Sequence, residues 1–254
     1  MSDTIPSAVP TTIPTAVVTG AGRGFGRAIA AALVARGTHV IGIARTRADL
    51  LAVREELGER FTPLTGDATD EALAAEVIRT HRPGLLVLNA GTVPPMAPVQ
   101  EQTWESFGRA WEVDTRHVFT WTGAALREPL APGSVVVSMS SGAALFGSPL
   151  SGGYASAKAA VRYIRSYAAG ESERAGLGIR FVALLPNMTP VGGVGDAGVT
   201  GYAAQAGLDR ETFLAGRGPI VTLELIGKAV TEVADDPDAA AEYRVEGTGL
   251  VPLA

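Results

Sequence analysis

The segment "GGYASAKAAV", residues 152–161, holds two side chains whose types and spacing suit proton transfer. Tyr154 and Lys158 stand four residues apart in a stretch of helical character, which puts them on one helix face. Lys158 is one of only two lysines in the chain. A phenol ordinarily titrates near pH ~10. An ammonium beside it favours the phenolate and draws that value down. The tyrosine could then exchange a proton with an alcohol or carbonyl near neutral pH. Thirteen residues before Tyr154, where the apolar run "SVVVSMSS" (134–141) ends, Ser141 offers a hydroxyl to the reacting oxygen. Ser140 competes for that role, but strand alternation sends adjacent side chains to opposite faces.

A glycine turn, "TGAGRGFG" (19–26), follows the first apolar run and opens the first helical stretch. Its pattern is T-G-x-x-x-G-x-G through Gly20, Gly24 and Gly26. Glycine lets the backbone turn tightly and come close to a pyrophosphate, and the helix N-terminus offers N–H groups and partial positive charge. About 20 residues on, a dinucleotide site that takes a free ribose 2′-hydroxyl carries Asp or Glu. Here the residues are Ala44-Arg45-Thr46: the carboxylate is missing and a guanidinium stands beside the vacancy. Arg binds phosphate through a planar fork of donors, and Arg23 in the turn adds a second positive charge. The expectation is NADP(H) in preference to NAD(H).

Strands and helices must alternate to place these groups. Apolar runs at 15–20, 39–45, 61–67, 85–91, 134–141 and 179–186 read as strands, with helices at 26–37, 47–58, 70–81, 104–126, 153–175 and 222–235. Asp70 is a candidate N-cap. A last short strand near 243–251 closes the chain. The fold class expected is α/β: a single-domain, doubly wound parallel sheet of about seven strands, a Rossmann fold, with helices on both faces. Residues 1–14, rich in Pro, Ser and Thr, read as a disordered tail and 15–254 as the domain. Residues 187–218 show no clear period and read as a long substrate lid loop with room for one short helix, mobile over 191–201 and ordering when cofactor binds.

Composition narrows the chemistry. The 254 residues include no cysteine, so disulfides, thiolate catalysis and cysteine metal sites are excluded. His39, His81 and His117 have no metal-ligand spacing and read as surface or strand-end residues, so no metal is expected. Net charge is −5, which argues against broad nucleic-acid binding. No run approaches the ~18 apolar residues of a membrane span, and the N-terminus lacks the pattern of a secretory or transit signal, so the expected location is cytoplasmic.

Together these motifs resemble the short-chain dehydrogenase/reductase family over nearly the whole chain. The matching residues are Thr19-Gly20-x-x-x-Gly24-x-Gly26, Asn89-Ala90-Gly91, Ser141 and Tyr154-x-x-x-Lys158, with Asp67-Ala68 at the adenine-contact position. The resemblance implies that Tyr154 is the general acid/base. Lys158 would bind the nicotinamide ribose and lower the tyrosine pKa, and Ser141 would orient the substrate oxygen. Phe25 would lie with the glycines along the cofactor, and Asn89-Ala90-Gly91 would support the cleft. It also implies homodimers or homotetramers built through the long helices. Three positions depart from the pattern. Asp114 stands where the family has a catalytic asparagine, so a carboxylate near Lys158 would offset part of the field on Tyr154. Pro186-Asn187 replaces Pro-Gly, with Asn able to adopt a left-handed turn, and Thr189 follows as the residue expected on the pyrophosphate or nicotinamide amide. Ala144 replaces a glycine.

The function expected is an NADP(H)-dependent oxidoreductase, a ketoreductase acting on a carbonyl or secondary alcohol. The apolar Val93, Pro94, Pro95, Met96, Ala143, Leu145 and Phe146 point to a hydrophobic small molecule. The alternatives are a non-catalytic NADP(H)-binding sensor or scaffold of the same fold, and a Rossmann methyltransferase, which gives no reason for Tyr154–Lys158. Consumption of NADPH with ketones, lost in Tyr154→Phe, separates the first of these from the enzyme.

Overall fold

A computed structural model describes residues 13–253, and the expected tail lies outside the described residues up to position 12. Ile13 and Pro14, also assigned to the tail, belong to the fold. Ile13 packs on the core, and His39 N–H donates to Pro14 O at 3.0 Å.

The first half alternates as expected: β1 (Thr15–Thr19), α1 (Gly24–Ala35), β2 (His39–Ala44), α2 (Arg47–Leu57), β3 (Phe61–Thr65), α3 (Glu71–His81) and β4 (Leu85–Leu88). Asp70 caps α3, its carboxylate accepting from the N–H groups of Ala72 and Leu73. The expected helix over 104–126 is three pieces: α4 (Trp104–Ala110), a π-helical turn over Trp111–Thr115, and α5 (Arg116–Arg127). Then come β5 (Val135–Met139), a short α6 (Ala143–Phe146), α7 (Gly152–Arg174) and β6 (Arg180–Pro186). Residues 187–218 are not an irregular loop, because α8 (Gly193–Gln205) and α9 (Arg210–Ala215) occupy most of them. Glycines spaced through α8 hid its period, and they let it seat closely: a Cβ on Gly201 would lie 3.0 Å from Met96 Cε. Finally α10 (Leu223–Asp235), capped by Thr222, leads to β7 (Glu242–Glu246) and β8 (Gly249–Pro252).

The sheet has eight strands in the order β3-β2-β1-β4-β5-β6-β7-β8. Seven run parallel, and β8 pairs antiparallel with β7. The single last strand expected near 243–251 is therefore a hairpin. Consecutive strand residues face opposite sides, yet both sides are covered, which is why the strands read as unbroken apolar runs. Val18 and Val87 pack with Ile29 of α1, Val53 of α2 and Ile226 of α10. Val17 and Leu86 pack on the other face with Val77 of α3, Trp121 of α5 and Val161 of α7. Strand order reverses between β1 and β4, and in open α/β sheets ligands bind beyond the strand C-termini at that point.

Candidate active site

A cavity of about 1410 Å³ lies at the C-terminal ends of β1, β4, β5 and β6. At one end is the glycine turn. Gly20 and Gly24 have φ of 67° and 54°, in the region that side chains other than glycine rarely enter. A Cβ on Gly24 would project into open space, only Gly192 Cα coming within 4.0 Å, so the turn forms an unfilled cradle. Gly26 does not line the cavity. A Cβ there would lie 2.1 Å from Gly20 O, so this glycine serves the close packing of α1 on β1. Phe25 and the exposed Arg23 and Arg45 line this end. Asp67 lies below the usual carboxylate range because the N–H and hydroxyl of Thr69 bond it, with smaller help from Arg45 and Arg116. Ala68 carries the carbonyl that holds Trp121 Nε1, at 2.8 Å. The geometry fits the diphosphate and ribose of a dinucleotide.

At the centre, Thr19 joins β1 to β4. Its hydroxyl oxygen accepts from Asn89 N–H at 2.9 Å and Ala90 N–H at 3.1 Å, and the Asn89 side chain donates to Thr19 O at 3.0 Å. The same hydroxyl meets His117 Nε2 at 3.0 Å. His117 is thus neither on the surface nor at a strand end. It is fully buried in α5, and burial first, then the charge of Lys158, pushes its pKa down to about 3.

The catalytic candidates converge where α7 crosses β5 and the π-helical turn. Two glycines before Tyr154 permit the crossing of α4 over α7, since a Cβ on Gly153 would lie 2.0 Å from Phe107 O. The Lys158 ammonium donates to Met139 O at 2.9 Å and sits 3.1 Å from Asp114 Oδ2, with Asp114 only 1% exposed. Thr92 N–H donates to Asp114 Oδ1 at 2.8 Å. Gly91 makes room for this carboxylate, for a Cβ there would lie 2.9 Å from Oδ2. Burial alone would lower the pKa of Lys158; the charge of Asp114, with Tyr154 behind it, outweighs that and raises it.

Tyr154 is placed with its ring centroid 5.6 Å from Lys158 Nζ, and its phenol lies near Ser141, whose Oγ accepts from Ala143 N–H at 3.2 Å. The phenol is not drawn below its ordinary value, as the pairing with lysine alone predicts. Burial raises it, Lys158 lowers it, Asp114 raises it again, and the net direction is upward. Ser140 points away from this group and donates its hydroxyl to Lys158 O at 2.8 Å. Pro186 and Thr189 line the cavity, but the Thr189 hydroxyl donates to Val221 O at 2.8 Å. Asn187 adopts no left-handed turn; its N–H donates to Val245 O at 2.9 Å.

Of the apolar substrate candidates, Val93, Pro94, Met96, Ala143 and Phe146 line the cavity, whereas Pro95 and Leu145 do not. Sequence reasoning missed the Thr19 hub, whose signal is only its place at a strand end. It also missed Asp49, one turn into α2, whose Oδ2 would lie 3.7 Å from a Cβ on Gly22. Among the described residues, no group of three His, Cys, Asp or Glu could hold a metal, and no helix is long and apolar enough to cross a membrane.

The structure superposes on that of an NAD+-bound xylitol dehydrogenase with a TM-score of 0.80, at 21% identity, covering 92% of this chain and 97% of that one. A cis-4-hydroxycyclohexanecarboxylate dehydrogenase from Sinomonas cyclohexanicum is 33% identical over 217 residues, 80% of this chain and 82% of that protein. An uncharacterized oxidoreductase of Saccharomyces cerevisiae is 28% identical over 158 residues, 60% of this chain, and the matched part spans 61% of that protein's length. The short chain dehydrogenase family model matches residues 14–196, from the strand before the glycine turn to the first turn of α8. With the motifs in that span assembled on one cavity, the chain belongs to the short chain dehydrogenase family, among the oxidoreductases.

Proposed function

We propose that the protein is an NADP(H)-dependent reductase acting on a carbonyl, or in reverse on a secondary alcohol, of a hydrophobic small molecule. The observation that carries this reading is the Tyr154 phenol on the cavity wall, beside Ser141 and with the Lys158 ammonium 5.6 Å from its ring centroid. A bound nicotinamide supplies or takes up the hydride. The chain's own groups handle the oxygen. Tyr154 gives its phenolic proton to the carbonyl oxygen, and Ser141 holds that oxygen by a hydrogen bond. Lys158 stabilises the phenolate left behind. Asp114, bonded to Lys158, favours the protonated phenol, which suits Tyr154 to the acid role in reduction. Oxidation of the alcohol needs the phenolate and so gains from alkaline pH.

Preference for NADP(H) rests on Arg45 and Arg23 at the cavity and on Ala44 in place of a carboxylate at the end of β2. Asp49 is the acidic group that weighs against it. Comparing KM for the two cofactors decides, and a clear preference for NAD(H) overturns this part. The substrate class rests on the apolar wall of Val93, Met96 and Phe146. The alcohol in the name of the Sinomonas relative, a hydroxyl on a saturated ring, is a first probe of that class. Phe119 on α5 and the stacked pair Tyr163 and Tyr167 on α7 are 60–67% exposed, which supports a homodimer or homotetramer through these helices; light scattering reads the mass. A cytoplasmic location is part of the same proposal. The central experiment follows NADPH oxidation with a ketone panel. Turnover should fall about 10²–10⁴-fold in Tyr154→Phe, and equal turnover by wild type and variant sinks the catalytic reading.

A further inference from the structure

Three hydroxyls meet on the cavity wall beside the start of α7. Ser148 Oγ lies 2.6 Å from Ser151 Oγ and 2.7 Å from the Tyr202 hydroxyl. The Tyr202 oxygen also accepts from Leu150 N–H at 3.2 Å. All three side chains line the cavity, in company with the apolar Met96, Phe146 and Met188. Tyr202 reaches the cluster from α8, which is seated on Met96 through Gly201.

Counting hydrogens shows what the cluster lacks. Three hydroxyls carry three hydrogens, and only two oxygen–oxygen links join them. The third bond uses a backbone hydrogen. One O–H is therefore left without an acceptor among the described residues. Each of these bonds can run either way; where the Tyr202 hydroxyl donates to Ser148 and Ser148 to Ser151, each bond polarises the next. The spare hydrogen is then that of Ser151. This serine is only 5% exposed. It also occupies the N-cap position of α7, three residues before Tyr154, and its hydroxyl caps no N–H of that helix.

We propose that Ser151, backed by Ser148 and Tyr202, is a specificity-determining subsite that donates a hydrogen bond to a second acceptor oxygen of the substrate, apart from the oxygen that reacts at Tyr154. The substrate class is a ketone or alcohol bearing a further carbonyl, carboxylate, ester or amide oxygen on an otherwise apolar frame. This rests on the reductase reading of the same cavity and adds to it. A single spare donor on this wall discriminates well, because a ligand without the acceptor leaves that donor unpaired.

The test measures binding of two probes, cyclohexane-1,4-dione and cyclohexanone, to the complex of the protein with NADP+, which has no hydride to give a ketone, by quenching of protein fluorescence. Wild type is expected to bind the dione about fivefold more tightly. Ser151→Ala should bring the ratio to within twofold while leaving cyclohexanone affinity and melting temperature as they were. Tyr202→Phe is a second variant and should lower the ratio part of the way. Tyr154→Phe should keep the ratio although turnover is lost. Equal affinities in wild type, undetectable binding of both probes, or a full ratio in Ser151→Ala overturns the subsite. Unimpaired turnover in Tyr154→Phe overturns the reductase reading instead, whatever the ratio shows.

Discussion

At the glycine-turn end of the cavity the cations, Arg23 and Arg45, stand in solvent, and the shaping is done by backbone and absent side chains. At the tyrosine end the cation is Lys158, 6% exposed, fixed by one carboxylate and one carbonyl. The first end can recognise charge that arrives from water, since neither arginine is in an ion pair among the described residues. The second holds charge already neutralised, so that it orients and tunes a neighbouring phenol. Exposed charge is cheap to change and buried charge is not. The two ends should therefore respond in opposite ways to substitution: recognition changes at one, stability and proton chemistry at the other.

The largest test of that contrast is Asp114→Ala. It leaves Lys158 buried without its partner, and chemical denaturation should show a loss of about 3–5 kcal/mol. A loss under 1 kcal/mol would remove the buried pair from the comparison. Asp114→Asn keeps the shape and takes away the negative charge. The alkaline rise of alcohol oxidation should then move to lower pH, because the charge that raised the phenol is gone. An unchanged pH–rate profile would mean that Asp114 does not tune Tyr154.

Gly26→Ala comes next. Its added Cβ meets backbone, which cannot swing aside, and the expected cost is about 3 kcal/mol by thermal or denaturant melting. Here the glycine-turn end should be as intolerant as the tyrosine end.

His117 sharpens the comparison through acid. Its pKa is near 3 folded and about 6.5 unfolded, so the unfolded chain binds the extra proton between those values. Its contribution is whole above about pH 6.5 and drains as pH falls toward 3. Between pH 6 and pH 4 the loss should be about 2 kcal/mol, and His117→Gln should be flatter over that range. Parallel curves for the two proteins would refute this. The smallest effect belongs to Arg45→Ala: KM for NADPH should rise about tenfold with little change for NADH or in melting temperature. A rise shared by both cofactors would show that Arg45 does not read the ribose phosphate.

The glycine-turn end was the more legible in sequence, and for a physical reason. Strand, turn and helix follow one another there without a gap, so local pattern is enough. Gly20 and Gly24 stand on the cavity as their pattern suggests, whereas Gly26, read with them as a cofactor glycine, packs α1 against Gly20 instead. At the tyrosine end only Tyr154 and Lys158 lie on one element. The bond from Lys158 to Met139 O, and that from Thr92 N–H to Asp114, join positions far apart in sequence, which no spacing rule reveals. The net direction of the Tyr154 pKa was missed for the same reason: burial outweighs the lysine, and burial is a property of the assembled fold. The helix α8 escaped because glycines with neighbours to accommodate look like glycines with none. The eighth strand was hidden in a stretch read as one short strand, whose turn, Gly247-Thr248, falls within it.

The π-helical turn over Trp111–Thr115 has a consequence of phase. A turn of this kind carries one residue more than the α-helix it interrupts, like an extra tooth on a gear. Remove one of the five and the other four, wound as ordinary helix, sweep nearly the same angle, so the helices on either side keep their phase. A residue lost from α4 or α5 themselves would instead rotate what precedes it by about 100°. Phe107 would then leave the notch at Gly153, and the helix holding Tyr154 would lose its seat. Natural changes of length along this stretch should therefore fall within 111–115.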